Sequence, residues 1–285
     1  MHKLPKLLNY FARLAQSYDI PGKYRFYEAT KYKFNRHLIT YNIKGSEFSV
    51  PWDQWCFWKN YGPENYYLDE ILPFTQMLND QLTTFDFIDL GADVGVVSSL
   101  VNKHCTALNN IIALEPNPTV FGVLKQNLLN ISVNHLAFKS AISNFDGYGE
   151  FNFKSEQGSD HEGHLVNNVS GKTQVTTLDS LINNNNIILA KNIAIKIDVE
   201  GQEKAMFAGA KETIQKADKV IILLELHPAV LTRDKQTAED LFNEAEKIRS
   251  FKWLVPIQDN KPINRSSKFY DQFPIQQYDV IGIAD

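Results

Sequence analysis

FIDLGADVGVVSSL, residues 87–100, opens as an apolar run, breaks at two glycines and continues apolar at helical spacing. That pattern is a buried strand, a tight turn and a helix. Glycine lets the backbone turn sharply and lets a ligand approach it closely. In open parallel sheets, ligands sit outside the carboxyl ends of the strands. The turn at Gly91 and Gly95 is therefore a candidate ligand site, and Asp89, at the strand end, is expected to face its crevice.

The turn also restricts the ligand. A dinucleotide fingerprint starting at Gly91 would place glycines at 93 and 96, where the chain has Asp93 and Val96. The Gly-Lys-Ser/Thr of a P-loop is missing. A carboxylate repels a phosphate and attracts a cationic amino or sulfonium group. This favours S-adenosylmethionine over a nicotinamide dinucleotide, with Asp89 holding the methionine end directly or through water. Glu115, 26 residues further on, ends a second strand, where a carboxylate can accept two hydrogen bonds from a ribose diol. Asp93 is expected to sit outward and stabilise the helix start.

Around this centre, short apolar runs alternate with helical patterns. Strands are expected over 85–90, 111–114, 134–138, 193–198 and 219–226, and helices over 96–104, 118–130, 200–208 and 211–217. Asn117 can cap the second helix and Pro118 suits its first position. FKWLVPI and YDVIGIA read as a closing antiparallel pair. The fold class is α/β: a doubly wound, mostly parallel sheet with helices on both faces. Residues 84–285 form this domain, and 1–83 a mixed helical extension. In the extension, MHKLPKLLNYFARLAQ reads as an amphipathic helix packing Leu7, Leu8, Phe11, Leu14 and Ala15 on the domain, with binding to a membrane surface or a partner as the alternative. The aromatic-dense stretch at 52–68 reads as core, with a substrate lid or partner surface as alternatives.

Of 285 residues, 44% are hydrophobic and 22% charged, and the formal net charge is −4. Those values suit a globular protein and give no global field for nucleic acid, so no nucleic-acid partner is expected. The more basic first 45 residues read as a solvated face, with a polyanion site as the alternative. No apolar run reaches the roughly 18 residues of a membrane span. Cys56 and Cys105 have no disulfide or metal spacing, which reads as free thiols and a cytoplasmic setting. Asp160, His161, Glu162 and His164 imitate a metal cluster but read as a solvated loop.

FIDLGADVG, ALEPNPTVFGVLKQNL, SAIS, IKIDVEGQEKAMFAGA and LLELHP together resemble the FkbM-type family of S-adenosylmethionine-dependent methyltransferases, over about residues 84–230. The resemblance implies a seven-stranded, Rossmann-like methyltransferase sheet and methylation of hydroxyl groups on sugars, glycans or small metabolites. By position it implies that Asp89, Gly91, Ala92 and Gly95 line the methionine part. Glu115, with Pro116 and Asn117, would take the ribose, and Ser140, Ala141 and Ile142 would flank the adenine.

The run IKIDVEGQE delivers Asp198 to a strand end in the same crevice. If the next strand is its neighbour, Glu225 and His227 join it there. Methyl transfer to an alcohol requires alignment and removal of a proton. Asp198 is the expected base or orienting group, His227 the alternative base, and Glu200 a residue that positions substrate or closes the turn. Glu203 reads as structural, and Lys196 as a partner for Glu225. A divalent metal bridging the carboxylates is conceivable but not favoured. Two rival readings stand beside the enzyme: a non-catalytic module that keeps the fold and binds a partner, and a nicotinamide-dependent oxidoreductase, which the missing glycines oppose.

Overall fold

The structure, a computed structural model, describes residues 1–152, 163–166 and 171–285. Asp160, His161 and Glu162 of the expected polar loop lie outside the described residues. Strands β1 (His2–Lys3), β2 (His37–Ile43) and β3 (Ser46–Pro51) make an N-terminal sheet. The main sheet starts with β4 (Phe85–Leu90), β5 (Leu108–Leu114) and β6 (Asn134–Phe138). A small sheet follows, from β7 (Ala141–Ile142), β8 (Gly147–Asn152), β9 (His164–Val166) and β10 (Thr173–Thr176). The main sheet resumes with β11 (Asn192–Ile197), β12 (Lys219–Leu226), β13 (Lys252–Val255), β14 (Lys261–Pro262) and β15 (Tyr278–Ala284).

The main-sheet order is β14-β13-β15-β12-β11-β4-β5-β6. The five strands from β12 to β6 run parallel, while β15 runs antiparallel to both β12 and β13. The expected closing pair is thus present. The sheet has eight strands rather than the expected seven; the extra one, β14, is a two-residue edge paired to β13. Strand order reverses between β4 and β11, and a crevice opens at such a switch point.

The pleat gives the sheet two apolar faces. Phe85, Phe87, Ile111, Ala113 and Ala194 pack on one side with Phe74, Leu78, Leu100 and Leu124 from helices Leu68–Gln81, Val96–His104 and Pro118–Leu128. Ile88, Leu90, Ile112, Ile195 and Ile197 pack on the other with Leu178, Phe207, Ile214 and Phe242. Each fully buried side chain of this size contributes about 1.5–3 kcal/mol. Asn117 caps its helix as expected, its Oδ1 accepting from the Thr119 N–H at 2.9 Å.

The N-terminal sheet joins the first of these clusters through Ile39, Phe48 and Val50. Helix α1 (Lys6–Ser17) departs from expectation. Leu8 and Ala15 pack against the core, but Leu7 and Phe11 are exposed, and the buried residues are Ala12 and Gln16. The cause is polar anchoring. Asn9 donates to Thr40 O at 2.9 Å and accepts from Thr40 N at 2.7 Å, while Gln16 accepts from the Tyr41 hydroxyl. In the aromatic stretch, Trp52, Phe57 and Trp58 are core and Trp55 is exposed.

Candidate active site

At Gly91 the chain leaves β4 with φ +72°, and a Cβ there would lie 1.8 Å from the Asp198 carbonyl oxygen. The turn is pinned on both sides. Gly91 and Ala92 N–H groups donate to Leu114 O at 3.1 and 2.9 Å, and Asp198 N–H donates to Leu90 O at 3.2 Å. The ends of β5, β4 and β11 are thereby drawn together around one cavity. Gly91, Ala92, Glu115, Pro116, Ser140, Ala141, Ile142, Asp198, Glu200 and His227 are on its wall.

Three expected residues are off that wall. Asp89 shares the pleat side of Phe85 and Phe87, beneath helix Val96–His104. It is fully buried and accepts from Ser98 Oγ at 2.6 Å. Gly95 is the left-handed N-cap of that helix, where a Cβ would meet Leu124 Cδ1 at 2.8 Å. Asn117 is committed to its cap and donates its own N–H to Glu115 Oε1 at 2.8 Å.

Asp93 turns inward rather than outward. Gln54 Nε2 donates to its two carboxylate oxygens at 2.7 and 2.8 Å, and the Asp93 N–H donates to Glu115 Oε2 at 2.9 Å. Each Glu115 oxygen thus holds one backbone N–H and keeps a lone pair to offer. Burial, with Asp93 adding to it, pushes the Glu115 carboxyl up to about 8 despite those two donors.

The parallel pairing of β11 and β12 brings the second group together. Single carboxylate oxygens of Asp198, Glu200 and Glu225 lie within 4.8 Å of one another. Lys196 Nζ is 2.8 Å from Asp198 Oδ2, 2.8 Å from Gly91 O and 4.0 Å from Asp89 Oδ1. Burial opposes the Lys196 charge, but Asp198 and Asp89 outweigh it and leave its pKa raised. The direct partner of Lys196 is therefore Asp198, not the expected Glu225. Gln277 donates to Glu225 instead, and burial, followed by Asp198, Asp279 and Glu200, pushes the Glu225 carboxyl well up.

Glu200 occupies a left-handed turn, φ +51°, whose carbonyl accepts from Arg233 at 2.6 Å. Glu203 is buried and accepts the N–H groups of Gly201 and Val199, at 3.0 and 3.3 Å. His227 caps helix Pro228–Arg233, and its buried Nδ1 has no hydrogen-bond partner among the described residues.

Sequence reasoning missed the far wall. Trp55, Cys56, Lys59, Tyr66 and Tyr67 line it from the N-terminal region, and Gln277 lines it from just before β15. Only the aromatic density of 52–68 signalled the first group. Gln277 arrives because β15 also pairs with β12, a contact distant in sequence.

A glycine turn bound to neighbouring strand ends, with a buried carboxylate on the next strand, describes a cofactor-binding α/β enzyme. The sequence matches the Methyltransferase FkbM domain over residues 89–251, more than half of the chain. The chain belongs to this family of methyltransferases, whose cofactor is S-adenosylmethionine. It is 25% identical over 160 residues to the hexuronic acid methyltransferase AglP of Haloferax volcanii, covering 55% of this chain and 61% of that relative. The chain therefore matches less than two thirds of the relative's length. In fold it is similar to the solved methyltransferase FkbM from Methylobacillus flagellatus KT, at 16% identity and TM-score 0.45, covering 81% of this chain and 55% of that one. It is also similar to M. jannaschii TYW2 solved in complex with AdoMet, at 12% identity and TM-score 0.40, covering 87% and 84%.

Proposed function

We propose that the cavity binds S-adenosylmethionine and transfers its methyl group to a hydroxyl of a glycan or small metabolite. The observation that carries this reading is the meeting of the Gly91 turn, Glu115 and the Asp198 corner on one cavity wall. The donor set fits the cofactor. It offers acids beside the turn and small apolar groups at Ala141 and Ile142. Glu115 takes the ribose diol. Asp89, one layer beneath, acts through Lys196 or through water, and its Oδ1 has no hydrogen-bond partner among the described residues.

When bound, the cofactor supplies a methyl group on a cationic sulfonium. The chain aligns the acceptor oxygen and takes its proton. Asp198 is the base and His227 its alternative, with Glu200 positioning the substrate. On the opposite wall, Trp55 offers a face for a sugar ring and Lys59 a cation for an acidic group. A hexuronate acceptor is consistent with that pair and with the AglP relationship. The setting is read as cytoplasmic; among the described residues no helix is long and apolar enough to cross a membrane.

The test is calorimetric titration with S-adenosylhomocysteine, with NADH as control, followed by a panel of uronic-acid and neutral glycosides. Micromolar binding of the first ligand and methylation of a glycoside are expected. Binding without turnover on any acceptor favours the non-catalytic module. NADH binding alone favours the oxidoreductase.

Two further results are expected. Trp55→Ala should raise the acceptor KM about tenfold, the loss of one ring contact worth about 1.4 kcal/mol, and leave S-adenosylhomocysteine binding unchanged. Affinity for S-adenosylhomocysteine should also depend on pH. Below about 8 Glu115 carries a proton, and only the ionised form offers both oxygens to a diol. Binding should therefore tighten as pH rises from 6 towards 8, by up to about tenfold per unit, and then level. Glu115→Gln should bind weakly and flatten that profile. A wild-type profile that is already flat would remove Glu115 from the ribose site.

A further inference from the structure

Helix α1 is anchored by polar contacts on its inward side, beside partly buried Leu8 and Ala15. Asn9, Ala12 and Gln16 face the protein, and the far side exposes Leu7, Tyr10 and Phe11 at 70, 57 and 56%. With half-buried Leu14 these follow the i, i+3, i+4, i+7 spacing of one stripe. A helix that only completes a domain buries such a stripe, and a large exposed apolar patch marks an interaction site. Buried Lys23 ties the next helix, α2 (Lys23–Thr30), to α1 by donating from Nζ to Gln16 O at 2.8 Å. That helix exposes Tyr24 and Phe26.

Charge identifies the occupant. The first 45 residues hold nine Lys and Arg against two acids, and the remaining 240 hold twenty against thirty-one. Positive charge is therefore concentrated on the segment that exposes the aromatics: Lys23 is buried, but Lys6 and Arg13 of α1 and Arg25 of α2 are exposed. Two copies meeting through this face would repel. A nucleic acid would match the cations but leave the Leu7–Phe11 stripe in water. A bilayer with anionic headgroups satisfies both features: basic side chains meet the surface charge, and Leu, Phe and Tyr enter the boundary between headgroups and acyl chains.

We propose that the exposed face of α1 and α2 docks the protein on an anionic lipid membrane. The site adjoins the cavity, because the Tyr24 ring packs on Trp55 of the cavity wall at 5.5 Å between centroids. The inference stands on the exposed face alone and does not depend on the reaction proposed above.

Co-sedimentation of the full chain with vesicles tests it. The vesicles are phosphatidylcholine alone, or with a third of the lipid replaced by phosphatidylglycerol. The expected result is binding to the anionic vesicles only, weakened by high salt. The double variant Leu7→Glu/Phe11→Glu should lower that binding roughly a hundredfold or more. Both residues are exposed, so its melting temperature should stay at the wild-type value. Failure to bind anionic vesicles overturns the proposal. So does equal binding to neutral vesicles, or unchanged binding by the double variant. A dimer in sedimentation velocity that the double variant dissolves would assign the face to a second copy. Capture of an RNA or DNA oligonucleotide without vesicle binding would assign it to a nucleic acid. Either result overturns the proposal.

Discussion

Gly91→Ala should abolish S-adenosylhomocysteine binding and lower the melting temperature by about 10 °C. A Cβ at this position would sit 1.8 Å from the Asp198 carbonyl oxygen, at φ +72°. The obstacle is backbone rather than the movable end of a side chain, so β4 or β11 has to shift. The left-handed conformation alone costs about 1–2 kcal/mol for a non-glycine residue, and displacing a strand end adds to it. A total of about 3–5 kcal/mol, at about 2–4 °C per kcal/mol for a domain of this size, gives the expected drop. Two other glycines provide the scale. Gly95→Ala meets only Leu124 Cδ1, which can rotate away, so its loss should be smaller although its φ is +81°. Gly122, inside helix Pro118–Leu128, has nothing within 4 Å of a Cβ. Gly122→Ala should stabilise by about 0.5–1 kcal/mol and leave binding intact. Differential scanning calorimetry of the three variants checks the order. A Gly91→Ala protein that binds at wild-type strength would show that the turn is not part of the cofactor site.

Residues whose signal is local were legible in the sequence. The strand-turn-helix of 87–100 and the Asn117 cap follow from composition and periodicity. The same holds for the placement of Asp198 at a strand end, one residue past β11. What failed was decided by contacts distant in sequence. Asp89 was expected in the crevice because it ends a strand, but the pleat that points Phe85 and Phe87 to the helix side carries Asp89 with them, against Ser98. Asp93 was expected to face outward, but Gln54, thirty-nine residues earlier, draws it in. Lys196 was matched to Glu225 on the neighbouring strand, whereas its side chain reaches forward to Asp198 on its own. In α1 the apolar pattern was legible, and its reading as a packing face held for Leu8 and Ala15 but not for Leu7 and Phe11. Asn9 and Gln16 tie the helix to β2 and so turn Leu7 and Phe11 outward.

Asp198→Asn should lower kcat by about 10²–10³, within the usual range for a positioned base, and change S-adenosylhomocysteine affinity less than threefold. Asparagine keeps an oxygen for Lys196 Nζ to approach at the place where Asp198 Oδ2 now lies at 2.8 Å. Alanine would leave the buried ammonium with Gly91 O and the more distant Asp89 carboxylate, and its effect would mix chemistry with local collapse. The substitution also removes a charge that now repels Glu225. Asp198 is the foremost charged neighbour holding the Glu225 carboxyl up, so in the variant the Glu225 carboxyl should ionise at lower pH. Glu225 lies in the same cluster of carboxylates and would then be a replacement base. The residual activity of Asp198→Asn should rise with pH through an ionisation that the double variant Asp198→Asn/Glu225→Gln no longer shows. His227→Gln separates the alternative. If His227 takes the proton, its loss should carry the large fall in kcat, and Asp198→Asn should carry little. If both single variants retain wild-type turnover, proton removal lies with neither residue, and the assignment of this corner to the chemical step fails while the cofactor site remains.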